Sequence, residues 1–357
     1  MIKLKISSIV MLVMTLTLLS CTKNRIPKYE LIEVAQSQRL WTGVAVSQEG
    51  RIFVNYPRWS NTLAYSVGEI SKSGEVKPYP DLKWNDWNFS LPAKDYFVCV
   101  QSVYVDRDNY LWILDPGLNV LQGIMKDGPK LIKVDLKSDQ IVQKIYFDSL
   151  IAPQRSYLND VRVDTEKNFA YLTDSGLGAI VVVDLSTGES RRLLADHPST
   201  KAEDVTLIIE GKEWLRPDGS KPQIHSDGLA LDTKDGYLYY QALTGRSLYR
   251  IALKWLHDTT LNAAQLGEKV EFMGEAGASD AIAFGNDGNI YLTSIEHNAI
   301  RRFTRNKKVE IVIQDARLKW PDSLSLTEDG SIYVTTSQLH LGQNRTEPYK
   351  IFKLVKL

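Results

Sequence analysis

The chain has 357 residues, with 43 basic and 43 acidic side chains, so its formal net charge at pH 7 is zero. A near-neutral chain lacks the excess of positive charge that binds the phosphate backbone, and we expect no nucleic-acid partner. The length alone suggests two domains, but that count holds only if the sequence contains no internal repeat.

The N-terminus has the pattern of an export signal. Lys3 and Lys5 precede an apolar stretch, Ile6 to Leu19, that is too short for an ordinary membrane-spanning helix. Leu18-Leu19-Ser20-Cys21 resembles a bacterial lipobox, in which the cysteine is lipidated and becomes the first mature residue. Thr22 at the next position resembles lipoproteins sorted to the outer membrane. An ordinary signal peptide with a chance cysteine is the alternative.

These features predict a lipoprotein signal peptide at 1–20, a tether at 21–28 and a single domain at 29–357. The domain would lie in the periplasm at the outer membrane, contacting the bilayer through the acyl anchor on Cys21 alone. If Cys21 is lipidated, Cys99 is the remaining thiol and no intrachain disulfide forms. Cys99 lies in an apolar stretch and is predicted to pack in a core, with a reactive thiol as the alternative.

Six segments of the sequence share one pattern: a short strand of alternating small and aliphatic residues, a turn, and a second strand with a central aromatic residue. Several turns are Asx-Gly or Glu-Gly pairs, which together with period-2 alternation indicate β-hairpins. In chain order they are TGVAVSQEGRIFVNY from Thr42, QSVYVDRDNYLWILD from Gln101, NDVRVDTEKNFAYLTDSG from Asn159, DGLALDTKDGYLYYQ from Asp227, SDAIAFGNDGNIYLTS from Ser279 and DSLSLTEDGSIYVTTS from Asp322.

A third strand follows most hairpins and a fourth follows some, which predicts four antiparallel strands per repeat. Six such repeats indicate an all-β fold, a six-bladed β-propeller, rather than a sandwich or a barrel. Insertions at about 80–98, 195–224 and 252–268 make the spacing uneven, and the last contains a helix-like stretch, ALKWLHDTTLNAAQL. The repeats therefore replace the two-domain estimate with one domain.

The last repeat ends after its third strand, at Leu357, and the N-terminal YELIEVA, residues 29 to 35, has a strand pattern without a repeat of its own. We predict that this segment supplies the missing outer strand and closes the ring. Nothing in the sequence indicates an oligomer interface, and we expect a monomer.

In such a ring, the segments entering the innermost strands and the loops joining second to third strands emerge on one face. The entering positions are Thr42, Gln101, Asn159 with Asp160, His225 to Asp227, Asp280, and Trp320 to Asp322. The joining loops bring residues 57–59, 115–117, 174–176, 243–244, Glu296 with His297, and 338–340 to the same face. This face is the predicted site of a small-molecule ligand.

Four of the entering positions carry an acidic or amide side chain: Asn159, Asp227, Asp280 and Asp322. Converging carboxylates repel one another unless a cation, a basic ligand or protonation compensates them, and Ca²⁺ prefers an all-oxygen shell of this kind. The alternative is that each residue caps the turn into its strand. On the opposite face, Asp235, Asp287 and Asp329 are predicted to be turn formers.

Three of the five histidines, His225, His297 and His340, also map to this face. Each is a candidate for proton transfer or a hydrogen-bonded loop residue. Trp41, Trp59 and Trp320 would form an aromatic wall for a flat ligand, or would pack between blades. The sequence shows no Gly-rich phosphate loop, no CxxC metal pair and no convincing Ser-His-Asp signature.

Several segments resemble the bacterial branch of the major royal jelly protein/Yellow family. They are LWILDPG (111–117), YLNDVRVD (157–164), AYLTDSGLGAIVVVDLSTGESRRLLADHPS (170–199), SDGLALD (226–232), YYQALTGRSLYRI (239–251) and DARLKWPDSLSLTEDGSIYVTTSQLHL (315–341). The resemblance implies a six-bladed propeller with a small-molecule site on its axis. Insect members are linked to dopachrome conversion or bind aromatic amines in the channel.

More distantly, NDVRVD, SDGLALD and SDAIAF are similar to the channel motifs of gluconolactonase/regucalcin propellers, which bind a divalent cation and hydrolyse sugar lactones. That likeness implies metal ligands at Asn159, Asp227 and Asp280, holding Ca²⁺ or Zn²⁺. The first-blade glutamate of those propellers has no counterpart, because Thr42 occupies its position. Asp322 or Glu296 would have to substitute for it.

Two functions follow from the sequence. In the first, the domain binds a small aromatic or cationic molecule through Thr42, Gln101, Asn159, Asp160, Trp320, Asp322 and Glu296. In the second it is an enzyme whose catalytic groups are drawn from Asp227, Asp280, His225 and His297. The reaction would be a cation-assisted lactone hydrolysis or a tautomerisation through a histidine.

Overall fold

A computed structural model describes residues 29–59, 65–119 and 121–357. The predicted signal peptide, the lipobox and Cys21 lie outside the described residues. Within those ranges, no helix has the length and apolar character needed to cross a membrane.

The chain forms six four-stranded antiparallel sheets, together with two short hairpins and a few helical turns. Blade 1 has β2 (Val44–Val46), β3 (Ile52–Asn55), β4 (Val67–Ile70) and β5 (Val76–Pro78). Blade 2 has β6 (Ser102–Val105), β7 (Tyr110–Asp115), β10 (Lys130–Asp135) and β11 (Gln140–Tyr146). Blade 3 has β12 (Leu158–Asp164), β13 (Phe169–Asp174), β14 (Ala179–Asp184) and β15 (Ser190–Leu193).

Blade 4 has β18 (Ser226–Asp232), β19 (Tyr237–Ala242), β20 (Ser247–Ala252) and β21 (Glu271–Glu275). Blade 5 has β22 (Ser279–Phe284), β23 (Ile290–Ser294), β24 (Ala299–Phe303) and β25 (Val309–Gln314). Blade 6 has β26 (Pro321–Leu326), β27 (Ile332–Thr336), β28 (Tyr349–Lys356) and β1 (Tyr29–Ser37). The short hairpins are β8 (Leu118–Asn119) with β9 (Gly123–Ile124), and β16 (Ile208–Ile209) with β17 (Lys212–Glu213). The helices are α1 (Leu82–Asn85), α2 (Leu253–His257) and α3 (Ala263–Gly267), with 3₁₀ turns at Pro198–Thr200 and Leu339–Asn344.

The first strands of successive blades contact one another in a closed circle, in the order β2, β6, β12, β18, β22, β26 and back to β2. This circle confirms the predicted six-bladed β-propeller and defines its central tunnel. We call the side where these strands begin the upper face, and the side of the hairpins that end them the lower face.

The N-terminal strand closes the ring as predicted. β1 pairs antiparallel with β28, from Tyr29 opposite Lys356 to Ser37 opposite Tyr349, and becomes the outermost strand of blade 6. Its inward side chains Leu31 and Ala35 are buried, while the intervening residues are exposed or half-buried. Both ends of the described domain therefore share one sheet.

The lower-face hairpins are set by side chains that cap their own turns. In blade 4, Asp232 Oδ1 accepts the N–H groups of Lys234 and Asp235 at 3.1 and 3.0 Å, and Gly236 takes a left-handed φ of +74°. A left-handed turn residue favours glycine because a Cβ would be strained there. Because each hairpin contains its own capping and turn residues, the repeat can be recognised in the sequence.

Apolar side chains fill the spaces between blades, where the two faces of adjacent sheets meet. Between blades 3 and 4, Tyr171 and Ile180 pack against Leu229 and Tyr240. The predicted helical insertion contributes α2 and α3 to this same cluster. Burial of this kind stabilises a propeller at about 25 cal/mol per Å² of apolar surface.

Candidate functional site

The inner strands of blades 3 to 6 share an irregularity at their upper ends. In each strand, the pairing with the second strand skips two residues: between Leu158 and Val161, Ser226 and Leu229, Ser279 and Ile282, and Pro321 and Leu324. The skipped pairs are Asn159-Asp160, Asp227-Gly228, Asp280-Ala281 and Asp322-Ser323. A β-bulge changes the direction of the side chains it carries. Because the bulge recurs in four blades, it places a carboxyl or amide side chain at the tunnel in each of them.

Threonines on the second strands hold three of these bulges. The hydroxyls of Thr173, Thr293 and Thr335 accept the N–H groups of Asp160, Ala281 and Ser323 at 3.1, 2.8 and 3.0 Å. The Thr173 hydroxyl also donates to the Asp227 carbonyl at 2.7 Å, which links blade 3 to blade 4. The threonines therefore satisfy backbone groups that the irregular pairing leaves free.

Four carboxyl side chains gather at these bulges: Asp160, Asp227, Asp280 and Asp322. We call them the acidic cluster. Asp227, Asp280 and Asp322 are buried, with exposed fractions of 4%, 8% and 4%. Among the described residues, none of these three carboxyl groups forms an ion pair, so their ionised forms lack a compensating cation.

Burial and mutual repulsion raise the pKa values of these three carboxyls. The pKa of Asp227 lies well above its ordinary value because of burial first, then the charges of Asp280, Asp160 and Asp322. The pKa of Asp322 is raised well above its ordinary value for the same reasons, with Asp280 as its main charged neighbour. Burial raises the pKa of Asp280 to about 7, although a hydrogen bond from Trp320 opposes the shift.

Asp160 differs from the other three because it has an ion-pair partner. Its Oδ1 accepts from the Arg162 guanidinium at 2.8 Å and from the Ser102 hydroxyl at 3.0 Å. The Val161 N–H donates to the same oxygen at 3.0 Å. Arg162 lies two residues after Asp160 on one strand, so their side chains share a face.

Asn159 and Gln101, both predicted site residues, are engaged in hydrogen bonds at the rim of the tunnel. Asn159 Nδ2 donates to the Ser175 hydroxyl at 3.0 Å. Gln101 Oε1 accepts from the Tyr157 hydroxyl at 2.7 Å, and Tyr157 accepts in turn from Trp59 Nε1 at 2.8 Å. The structure thus places an aromatic pair, Trp59 and Tyr157, on the upper face beside Gln101.

The predicted histidines bond to the scaffold. Backbone N–H of Ala202 donates to His225 Nδ1 at 2.9 Å, and His297 Nδ1 lies 3.1 Å from the Ser294 hydroxyl. Burial lowers the pKa of both His225 and His297. Within the described residues, no hydrogen bond connects either histidine to the acidic cluster. His340 Nε2 lies 2.9 Å from Glu210, outside the cluster.

Trp320 supports the acidic cluster from behind. Its Nε1 donates to Asp280 Oδ2 at 2.6 Å, and its ring is fully buried between Trp214 and His340. A ligand therefore meets no face of the Trp320 ring, which favours packing over the aromatic wall for this residue. Trp41 is likewise fully buried, in the core beside Tyr56. Trp59, which is 38% exposed, is the tryptophan of the three that a ligand can reach.

Two further predicted positions have structural partners. Glu296 pairs with Arg246 at 2.8 Å and accepts the Ile208 N–H at 3.0 Å, which ties the 195–224 insertion to blade 5. Thr42 is buried, and its hydroxyl accepts from Asn55 Nδ2 at 2.9 Å. Neither side chain replaces the missing first-blade metal ligand.

The divalent cation implied by the sequence stays a prediction. Across 29–59, 65–119 and 121–357, no group of three or more His, Cys, Asp or Glu side chains is arranged to hold a metal ion. Of the implied ligands, Asp280 is bonded to Trp320 and the Asn159 amide nitrogen to Ser175. We therefore derive no step through a metal.

Cys99 is buried in the core, as predicted from its apolar surroundings. Burial raises the pKa of its thiol to about 12, which disfavours the nucleophilic thiolate. The reactive alternative for Cys99 therefore has no support in its surroundings.

Sequence reasoning missed Arg162 and Tyr157, whereas Ser175 lies in the predicted joining loop 174–176. The signal for Arg162 was present, because two-residue spacing on a strand places it on the same side as Asp160. Tyr157 lies two residues before the predicted Asn159, but its contact with Gln101 depends on how blades 2 and 3 meet.

Fold and site together define a six-bladed β-propeller with a buried acidic cluster on its axis. The chain belongs to the major royal jelly protein family, whose sequence profile matches residues 98–354. The resemblance inferred from its motifs is thereby confirmed.

Curated relatives include dopaminechrome tautomerase from Drosophila melanogaster, 26% identical over 178 residues, and major royal jelly protein 2 from Apis mellifera, 23% identical over 282 residues. These matches cover 46% and 74% of this chain, and 38% and 59% of the relatives' own length. The matched region is thus less than two thirds of either relative.

Solved structures with a similar fold include a calcium-binding protein, regucalcin, from Agrobacterium tumefaciens and a gluconolactonase from Xanthomonas campestris. Both superpose with a TM-score of 0.57, at 14% and 12% identity. The alignments cover 92% of this chain in each case, with 94% of regucalcin and 90% of the gluconolactonase. At this identity the likeness shows the shared fold.

Proposed function

We propose that this protein binds a small organic cation with an aromatic part in the upper mouth of its tunnel. The observation that carries the proposal is the acidic cluster, in which Asp227, Asp280 and Asp322 are buried without an ion pair among the described residues. A bound ammonium group would relieve both the mutual repulsion and the loss of hydration of these carboxylates.

The same mouth offers a surface for the aromatic part of such a ligand. Trp59 is exposed and its indole is hydrogen-bonded to Tyr157, which fixes the two rings relative to each other. Exposed aromatic rings attract organic cations and stack on flat ligands. A relative in the same family is named dopaminechrome tautomerase, which supports a ligand of that chemical kind.

Proton transfer is the second candidate function, because Asp280 has a pKa of about 7. A carboxyl group titrating near neutral pH both accepts and donates protons efficiently. A tautomerisation needs only that a base remove a proton from one substrate atom and that an acid return one to another. Asp280 and Asp227 suit these roles better than His225 and His297, whose described hydrogen bonds run to the scaffold.

The lactone hydrolase implied by the gluconolactonase likeness has less support. That reaction would need a divalent cation, Ca²⁺ or Zn²⁺, and the described carboxylates do not form a metal group. It is retained as an outcome of the binding experiment.

Binding would occur in the cell envelope. The export signal and the lipobox around Cys21 support a lipid-anchored domain in the periplasm at the outer membrane, which we expect to be a monomer. Labelling cells with a radioactive fatty acid tests this placement. Label should enter the wild-type protein and be absent from Cys21→Ser, and equal labelling of the two would exclude the anchor.

Isothermal titration of the purified protein with dopamine tests the binding proposal, with 4-ethylcatechol as the uncharged analogue. Asp227→Asn should weaken dopamine binding roughly tenfold or more, because the amide removes a buried charge partner. Asp235→Asn, an exposed lower-face turn residue, is the matched control and should bind normally. Affinity should rise with pH through about 7, as the cluster becomes ionised.

Three results would count against this function. Equal affinity for dopamine and 4-ethylcatechol would show that the ligand's charge does not contribute to binding. Unchanged dopamine affinity in Asp227→Asn would show that the acidic cluster is not the binding site. Stoichiometric Ca²⁺ or Zn²⁺ in the wild type, lost in Asp227→Asn, would favour the lactone hydrolase instead. Consumption of dopaminechrome by the wild type, abolished by Asp280→Asn, would establish the tautomerase.

A further inference from the structure

Arg162 reaches across the ring of inner strands. Its guanidinium extends from blade 3 to the Ile282 carbonyl in blade 5, at 3.0 Å, and also donates to Asp160 and to the Val161 carbonyl at 2.8 and 2.7 Å. The Tyr104 ring of blade 2 lies 5.2 Å from the same group. Arg162 thus forms a cationic partition, and Asp227, Asp280 and Asp322 do not line the cavity described next, whereas Asp160 does.

A cavity of about 380 Å³ lies on the other side and opens at the lower face. Its walls are the lower parts of the inner strands and the hairpins that end them, and Arg162 and Asp160 form its inner end. Ligand pockets in proteins are commonly of this size. The cavity is separate from the upper mouth, whose function was proposed above.

The charges around this cavity are the reverse of those above the partition. Lys234 and Arg305 line it, and neither forms an ion pair within the part of the chain that the structure describes. The one acidic residue at the rim, Asp232, is turned to the backbone of its own hairpin. Arg107 also lines the cavity, although it pairs with Glu166.

Arg305 is directed to the cavity by its neighbour Gly288. It belongs to the hairpin between β24 and β25, outside the inner ring. A Cβ at Gly288 would come within 2.3 Å of Arg305 Nε, so the arginine crosses the turn through space that only glycine leaves open. Gly288 also has a φ of +76°, which favours glycine at that position.

Arg162 has donors left for a ligand. A guanidinium carries five N–H groups, and the three hydrogen bonds described above use three of them. Arg162 is 8% exposed and lines the cavity. A carboxylate or phosphate is the chemical group that such donors recognise best.

We infer that the lower cavity is a second binding site, specific for a small anion bearing a carboxylate or phosphate group. The anionic group would lie between Lys234 and Arg305 at the rim and the guanidinium of Arg162 at the inner end. The two mouths of one tunnel then take ligands of opposite charge.

Isothermal titration of the purified protein at constant ionic strength tests this inference, with inorganic phosphate and succinate as probes and succinamide as the uncharged control. The double variant Lys234→Gln/Arg305→Gln should weaken binding roughly tenfold or more. Lys308→Gln changes the same charge in the Arg305 hairpin without touching the cavity and should bind normally. Both altered side chains in the double variant are exposed, so folding should be unaffected.

Binding of phosphate alone would assign the site to phosphate compounds, and binding of succinate alone to carboxylic acids. The inference is overturned if neither anion binds, if succinamide binds as well as succinate, or if Lys308→Gln matches the double variant. Asp227→Asn separates the two sites, because it should leave anion binding unchanged. An equal loss in Asp227→Asn would place the anion in the upper mouth and remove the lower site.

Discussion

Replacing Asp280 by asparagine should stabilise the protein at alkaline pH, although it removes a residue of the proposed binding site. Asparagine keeps the shape of the side chain and an oxygen that accepts the Trp320 N–H. It removes a charge that the folded protein must bury beside Asp227 and Asp322 when Asp280 ionises. The gain in stability should therefore grow as the pH rises from the ordinary pKa of the carboxyl, 3.8, to about 7, and be complete above that.

The size of the effect follows from the pKa of Asp280, which is about 7 in the folded protein against an ordinary value of 3.8. Because the folded state holds this proton more tightly than the unfolded state, its contribution to stability is full below the ordinary pKa. The contribution is lost progressively as the pH rises through about 7. A difference of roughly three pKa units corresponds to about 4 kcal/mol at pH 8.

Urea unfolding of wild type and Asp280→Asn at several pH values between 5 and 8 measures this difference. The wild-type free energy of unfolding should fall more steeply across that range than that of the variant. Asp160→Asn is the matched control, since Asp160 lies in an equivalent bulge but is paired with Arg162. It should lose about 1 to 3 kcal/mol, because Arg162 is left partly unpaired.

The reasoning fails if Asp280→Asn shows the same pH dependence as the wild type, or is less stable at pH 8. Either result would mean that Asp280 is compensated by a cation in the protein. Loss of stability in Asp280→Asn but not in Asp160→Asn would reverse the assignment of the paired and unpaired carboxylates.

Three further outcomes are expected. Lys130→Met should lower the free energy of unfolding by about 3 kcal/mol in urea titrations, because it breaks a fully buried ion pair with Asp115 at 3.2 Å; an unchanged value would show that the pair is dispensable. Removing residues 29–37 should lower the melting temperature of the whole propeller in one calorimetric transition, whereas two transitions would mean that blade 6 frays alone. Trp320→Phe removes a donor to Asp280 and should raise the pKa of that carboxyl above 7 in a carbon-13 NMR titration, where an unchanged pKa would refute the hydrogen bond's role.

The fold could be predicted because the residues that specify each hairpin lie close together in the sequence. Each hairpin carries its own turn residues and its own alternation, so six copies are countable without knowing how they meet. The closure by β1 was also predictable, because the last repeat lacked an outer strand and the N-terminal strand lacked a repeat.

The bulges were harder to predict, although their residues were identified. Asn159, Asp227, Asp280 and Asp322 occupy one repeat position, and this periodicity placed them on one face. The threonine hydroxyls that hold the bulges are on the neighbouring strand, 12 or 13 residues away. A two-residue skip in strand pairing does not change the alternation of residue types along the inner strand, so the sequence does not reveal it.

The partners of the site residues could not be predicted, because they come from distant blades. Glu296 meets Arg246 across 50 residues, and His340 meets Glu210 across 130. In the sequence these side chains look available for binding or catalysis, but in the structure they are engaged by distant partners. The lower cavity was missed for a related reason, because its cations come from two separate hairpins that carry no shared motif.

The residues of the acidic cluster lower the stability of the folded protein and are also the proposed ligand contacts. An apolar or amide side chain in each bulge would spare the folded protein the burial of charge, yet three of the four bulges keep a carboxylate that no described cation neutralises. A ligand that supplies the missing positive charge would bind the folded state alone and stabilise it further as the pH rises. The increase in melting temperature produced by dopamine should therefore be larger at pH 8 than at pH 5. An increase that is independent of pH would show that the ligand does not interact with these carboxylates.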